Sequence, residues 1–255
     1  MSSNNSLNQD NNLASQQYWD NAYASYEFAN IDNNSTIKDW IIGYIPNGVG
    51  KSCFEIGCFP GRFLTLFGDL GYELNGIDLT PRVQNDFPNW LKSIGYKTGE
   101  FYMEDFFCYR PKKKYDIVAS FGFIEHFKNW DDVFQTHLNW VEDEGYLVVE
   151  TPNFSGWLQR LLHYSFDLKN YRRHYVQSMD PIKWRQIAED NGFEILYCGY
   201  FGEFEFWVDE PPQSWFRRKL MWFVFKAFPM IKMLPKGRKA YSPYCGIIAK
   251  KSRRS

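Results

Sequence analysis

Residues 51–63 read KSCFEIGCFPGRF, and the order of residue types in this stretch sets the fold class. Residues 53–56 (CFEI) are a short apolar run suited to a buried strand, and residues 57–61 (GCFPG) make a tight turn. Beyond the turn, Phe63, Leu64, Leu66, Phe67 and Leu70 recur at helical spacing, and Gly71 stands where a helix should stop. Strand, turn and helix in that order form the opening unit of a nucleotide-binding α/β domain.

The turn also decides which nucleotide is acceptable. A dinucleotide site wants G-x-G-x-x-G, whose second glycine lets backbone N–H groups approach a pyrophosphate. Here the second-glycine position holds Phe59, whose side chain obstructs that approach, and no G-x-x-x-x-G-K-[ST] phosphate loop occurs. A glycine-lined turn preceded by an acid, Glu55, suits a ligand with a ribose and a cationic amino-acid arm. The stretch resembles the first motif of class I S-adenosylmethionine (SAM)-dependent methyltransferases, with Phe59 departing from the usual middle glycine. The resemblance covers about residues 50–200 and is nearest to ubiquinone-biosynthesis-type O-methyltransferases.

The rest of the chain continues the pattern. A second strand over 72–77 ends at Asp78, 21 residues beyond Gly57, and Thr80-Pro81 has the chemistry of a helix start. A carboxylate at that strand tip can accept both hydroxyls of a ribose. A third strand over 99–103 leads to Asp105 and Phe106, which by resemblance hold the adenine amino group and cover its ring. The fourth strand, 115–121, ends at Phe121 and is followed by Glu125 and His126. Open α/β sheets place their chemistry at such carboxyl ends, so His126 is the candidate group facing a methyl acceptor, with a bracing role for the pair as the alternative. His137 instead falls on the apolar stripe of a helix over 130–142 (Trp130, Val133, Phe134, Leu138, Val141) and reads as core. A fifth strand over 145–150, a helix from Asp180-Pro181 through Asn191, a sixth strand over 193–201 and a last strand over 242–250 complete the expected order.

The expected fold is α/β, a Rossmann-like, seven-stranded, mostly parallel sheet with helices on both faces and an antiparallel last strand. Residues 1–15 are expected to be disordered and 16–255 to form one domain. It carries an acceptor-pocket insert at about 154–177 and a basic, aromatic insert at about 203–240. The resemblance implies cofactor contacts from Tyr18, Glu55, Gly57, Cys58, Phe59, Gly61, Arg62, Phe63, Asp78, Leu79, Asp105, Phe106 and Phe121. It implies acceptor contacts from Glu125, Arg172, Arg173, His174 and Tyr175, and no metal. Tyr18 belongs to an aromatic helical segment opening QQYWDNAY, which by resemblance folds over the cofactor or, alternatively, packs on the sheet edge.

Composition narrows the partners. The chain has 255 residues and a net charge of −1, yet residues 211–255 hold twelve Lys/Arg and no acid, leaving 17 basic against 30 acidic groups elsewhere. A basic tail meeting an anionic surface is one reading and a solvated counterweight the other. Residues 215–240 suit a peripheral membrane contact, or a lid or homodimer contact; the uncharged runs there are too short to span a bilayer. Five scattered cysteines with no C-x-x-C, and no apolar leader, point to the cytoplasm. No N/D-P-P-Y/F follows the fourth strand and no Pro-Cys nucleophile stands there, which sets aside adenine and cytosine-C5 methylation; the metal-binding carboxylates of catechol-type enzymes are missing too, which sets those aside. What remains is methyl transfer from SAM to an oxygen of a small polar acceptor, a sugar or another intermediate of cell-surface glycan or lipid assembly. The alternatives are N-methylation of a small amine, or a SAM-fold adaptor without catalysis.

Overall fold

The computed structural model describes residues 11–253 except Pro211 and Lys232, without the side chains of 227–231. Its strands are β1 (Ser52–Ile56), β2 (Glu73–Asp78), β3 (Thr98–Met103), β4 (Tyr115–Phe121), β5 (Val141–Pro152), β6 (Phe193–Phe201) and β7 (Tyr244–Lys251). The helices are α1 (Gln16–Tyr23), α2 (Thr36–Ile42), α3 (Leu64–Asp69), α4 (Asp86–Ser93), α5 (Trp130–Trp140), α6 (Trp157–Phe166), α7 (Leu168–Arg172), α8 (Pro181–Asp190) and α9 (Trp215–Ile231). The strands form one sheet in the order β3-β2-β1-β4-β5-β7-β6. The pairs from β3 to β5 are parallel, and β7 runs antiparallel to both β5 and β6. The expected α/β sheet with an antiparallel last strand is what the chain builds.

The order reverses at β1, whose neighbours are β2 on one side and β4 on the other. Crossovers leaving in opposite directions open a crevice at the carboxyl ends of these two central strands. Alternation along β1 sets what faces where. Phe54 and Ile56 enter the core under α5 and α8, while Cys53 packs with Leu64 and Phe67 of α3 on the opposite face. Each such large apolar side chain contributes about 1.5–3 kcal/mol by leaving water. Glu55 shares the face of Cys53 and is carried to the crevice rim at the strand's end.

Three expectations change on folding. Asn11 to Ser15 are not disordered: Asn12 bridges Phe127, Leu13 N–H donates to the His126 carbonyl at 2.8 Å, and the Ser15 hydroxyl caps α1 by accepting from Tyr18 N. The rest of the expected disordered segment, residues 1–10, lies outside the described residues. The helix expected at Thr80-Pro81 is only a short 3-10 turn, Pro81–Val83: Thr80 stands at its N-cap and Pro81 at its first position, but the Thr80 hydroxyl makes no capping bond, and the α-helix starts only at Asp86. The helix expected over 130–142 stops at Trp140, since Val141 turns extended and joins β5.

Candidate functional site

Two cavities meet over the carboxyl ends of β1, β2 and β4. The first, about 750 Å³, is lined by Asp78, Leu79, Thr80, Asp105, Phe106 and Phe107. The second, about 1010 Å³, reaches Glu55, Arg62, Phe63, Glu125, Glu150 and His174. Tyr18, Trp19, Tyr23, Gly57, Phe59, Phe121, Gly122, His126 and Arg173 line both, so these residues form the neck between them.

The first cavity fits a nucleoside. Asp78 accepts from Phe59 N at 3.2 Å and Thr80 N at 3.0 Å, two bonds that aim the carboxylate into the space above β2. Burial raises its pKa to about 6 against those N–H groups. The Asp105 carboxylate accepts from Phe107 N at 2.9 Å and stands beside Phe106, whose ring is nearly buried. The turn that closes this cavity needs its glycines. Gly57 and Gly61 have φ of 69° and 89°, and a Cβ on Gly61 would lie 2.0 Å from the Phe87 ring. The Phe59 side chain packs edge-on against Tyr23 and Phe28, at the margin of both cavities.

Glu55 is 2% exposed, and its Oε2 has no hydrogen-bond partner. An orphaned carboxylate oxygen at the cavity wall is a receptor for a cationic group such as an amino-acid ammonium. Burial and the neighbouring Asp78 raise the Glu55 pKa well above the ordinary range, so such a cation would also draw it into its charged form. A glycine turn, an acid at the tip of β2, a carboxylate-and-ring slot and this orphan oxygen together fit SAM.

The neck is aromatic and roofed by α1. Tyr18 donates its hydroxyl to Asp209 at 3.0 Å, and its ring lies under the Arg173 guanidinium at 4.0 Å. Trp19 meets the His126 ring edge-on with centroids 5.0 Å apart. His126 is 5% exposed, and its Nδ1 donates to the Arg173 carbonyl at 2.8 Å, leaving the lone pair on Nε2. Burial lowers its pKa to about 4, against the carbonyls of Arg173 and Gly122, so the ring is neutral at pH 7. His174 Nδ1 donates in the same way to the Asn170 carbonyl at 2.7 Å, and burial with His126 close by holds its pKa well below the usual value.

Not every expected residue reaches the cavities. The Cys58 side chain is fully buried against Gly76 of β2. Arg172 is exposed at the end of α7 and lines neither cavity, nor does Tyr175, whose N–H donates to the Glu125 carbonyl. Arg173 is engaged by the Asp209 carboxylate, and of the expected acceptor residues Glu125, Arg173 and His174 line the second cavity. Phe63 stacks on Phe121 with centroids 4.5 Å apart, and the Arg62 guanidinium lies 4.7 Å over the Phe63 ring. His137 is core: fully buried, it donates from Nδ1 to the Val133 carbonyl and accepts at Nε2 from Ser120.

Three site residues escaped the sequence. Glu150 ends the apolar run of β5 on the rim of the second cavity, and burial pushes its pKa up to about 8. An acid closing an apolar strand was the signal. Tyr23, a helical turn beyond Trp19, closes the aromatic segment QQYWDNAY, whose spacing was its signal; Asp209, in a loop after β6, had none.

Comparison with known proteins agrees with this geometry. The family described as "Methyltransferase domain" matches residues 29–197. A curated relative, ubiquinone biosynthesis O-methyltransferase of Glaesserella parasuis, is 29% identical over 116 residues, covering 42% of this chain and 48% of that protein. The chain thus matches about half the length of this relative. Magnesium protoporphyrin IX methyltransferase of Synechocystis, solved with bound SAH, superposes with a TM-score of 0.54 at 14% identity, covering 92% of this chain and 93% of its own. A SAM-dependent methyltransferase from Archaeoglobus fulgidus gives 0.52 at 22% identity, covering 84% and 93%. With more than half of the chain inside that family match and the motif residues at the strand ends where the fold needs them, the chain belongs to the methyltransferase-domain family, with the class I SAM-dependent methyltransferase fold.

Proposed function

We propose that the protein transfers the methyl group of SAM to an oxygen of a small, polar, hydroxyl-bearing acceptor, such as a sugar or another intermediate of cell-surface glycan or lipid assembly. The observation that carries this is the neck: a nucleoside-sized cavity opens into a second one at His126, which lines both and keeps its ring lone pair on Nε2. SAM supplies a methyl on a sulfonium, a leaving group that departs as a neutral thioether. Asp78 would accept the ribose hydroxyls and Asp105 the adenine amino group. Glu55 would receive the ammonium. Tyr18 and Trp19 close the roof and exclude water, so positioning contributes most of the acceleration. The neutral His126 imidazole can take the acceptor's hydroxyl proton at Nε2.

One feature favours a second reading, N-methylation of a cationic amine. The lining of the second cavity carries seven Asp/Glu against three Lys/Arg, and a cationic amine entering it would draw buried acids such as Glu150 into their charged form. The test is calorimetry with SAM, then acceptor screening by mass gain of one methyl across sugars, phenols and amines. Micromolar SAM binding with methylated hydroxyl compounds is expected. Methylation of amines alone selects the second reading, and absence of SAM binding returns the chain to a non-catalytic adaptor.

For partners, we place α9 on an anionic bilayer surface. It exposes Trp215, Phe216, Trp222 and Phe223 with Arg217, Arg218, Lys219 and Lys226 among them, while Met221 and Val224 face inward against the protein. No helix among the described residues is long and apolar enough to cross a membrane. Each such base contributes about 1 kcal/mol near an anionic leaflet. Sedimentation with phosphatidylserine-containing vesicles should therefore capture the protein, and the Trp222→Ala/Phe223→Ala variant should be captured at least about threefold less. Equal recovery with neutral vesicles, or a concentration-dependent dimer lost in the same variant, would remove the bilayer as occupant.

A further inference from the structure

Three side chains stand together in the wall of the second cavity: Glu125 and His126, just beyond β4, and His174, just beyond α7. Their ligand atoms all lie within 4.8 Å of one another, a group formed by residues 48 positions apart in the chain. Glu125 is fully buried, and neither carboxylate oxygen has a hydrogen-bond partner. The polar atoms facing it are Nε2 of His126 and Nε2 of His174, each 4.0 Å from Oε1. A buried carboxylate without partners is costly, and its neighbours hold it at contact range without satisfying it.

The two imidazoles are set up alike. A carbonyl can only accept, so each Nδ1 carries the proton it donates to Arg173 or Asn170, and each lone pair sits on Nε2, toward Glu125. A carbonyl behind each ring is the arrangement that orients metal-binding histidines. A triangle with sides of 4.0, 4.0 and at most 4.8 Å has its centre about 2.5 Å from each corner, so a closure of a few tenths of an ångström reaches bonding distance for a first-row cation. The cavity around it is rich in acids, which favours a cation further.

We propose that Glu125, His126 and His174 form a binding site for a divalent transition cation, through one carboxylate and two Nε2 atoms, at the point where acceptor and methyl donor meet. Two imidazoles and a carboxylate suit Zn²⁺ or a neighbouring first-row ion, with the remaining positions open to an acceptor oxygen. The catalytic consequence rests on the methyl-transfer reading above; the binding does not. An acceptor hydroxyl on the cation loses its proton to water, its oxygen lone pair forms the O–CH₃ bond, and the pair of the broken C–S bond stays on sulfur. The lone pair of His126 then serves the cation, and water takes the proton in its place.

The test uses tag-free full-length protein stripped with EDTA, titrated with Zn²⁺ by calorimetry and with Co²⁺ by visible absorption. One equivalent should bind with a micromolar or lower Kd, with Co²⁺ bands free of thiolate charge transfer. Glu125→Gln and His174→Gln should each weaken it at least about tenfold while SAM affinity stays within about threefold, which also reports their folding. Absence of stoichiometric Zn²⁺ binding in the wild type, unchanged binding in both variants, or a cysteine signature in the Co²⁺ spectrum would overturn the proposal. If both variants fail to fold, the wild-type titration and spectrum decide it. Cation binding without methyl transfer would leave the site standing and remove only its catalytic use.

Discussion

Replacing Asp78 with alanine is expected to weaken SAM binding about 100-fold with little change in turnover at saturation, read by calorimetry and steady-state kinetics. A bidentate, charge-assisted pair of hydrogen bonds to a ribose is worth about 3 kcal/mol when buried. Asp78 also accepts from Phe59 N and Thr80 N, so its loss loosens the turn that shapes the cavity. Asp78→Asn separates the two contributions: it keeps an acceptor oxygen, loses the charge, and should cost only about tenfold. The same carboxylate sets a pH dependence. Burial raises its pKa to about 6, so at pH 7 it is mostly ionised and ready to accept. As pH falls through 6 the group protonates, and the SAM Kd should rise by about tenfold per unit below it. In Asp78→Asn this branch should disappear. Unchanged SAM affinity in Asp78→Ala would remove the ribose assignment altogether.

The second large effect is expected at His126. His126→Ala should lower turnover by about 10²- to 10⁴-fold, the range for a group that handles the reacting proton, while SAM affinity changes little. The side chain stands at the neck where both cavities meet, between Trp19 and His174. A purely bracing role makes a different forecast: KM for the acceptor and thermal stability would move together, and turnover at saturation would hold. A kcat-against-KM comparison therefore tells the two apart, with SAM affinity as the control for folding.

Much of this could be read along the chain. The run at β1, its glycine turn and the α3 stripe fall where residues 51–70 place them, and β4 and β6 match their expected limits. Asp78 was recognisable as an acid ending a strand, 21 residues beyond Gly57, and Asp105 through the family resemblance; both line the first cavity. The core role of His137 followed from its place in a helical stripe. Less legible was the start of α4, because the Thr80-Pro81 signature opens only a 3-10 turn without a side-chain cap and the α-helix begins at Asp86.

The sequence by itself determined the strands and helices and their order along the chain, because local periodicity is a property of neighbouring residues, and a family resemblance supplied the candidate cofactor acids. Only the tertiary structure decided that Arg173 is engaged by Asp209, that α1 roofs the neck, and that Glu125, His126 and His174 converge. Those relations join residues tens of positions apart. Their geometry is set by how the loops close and how the helices pack on the sheet, and it leaves no period in the chain.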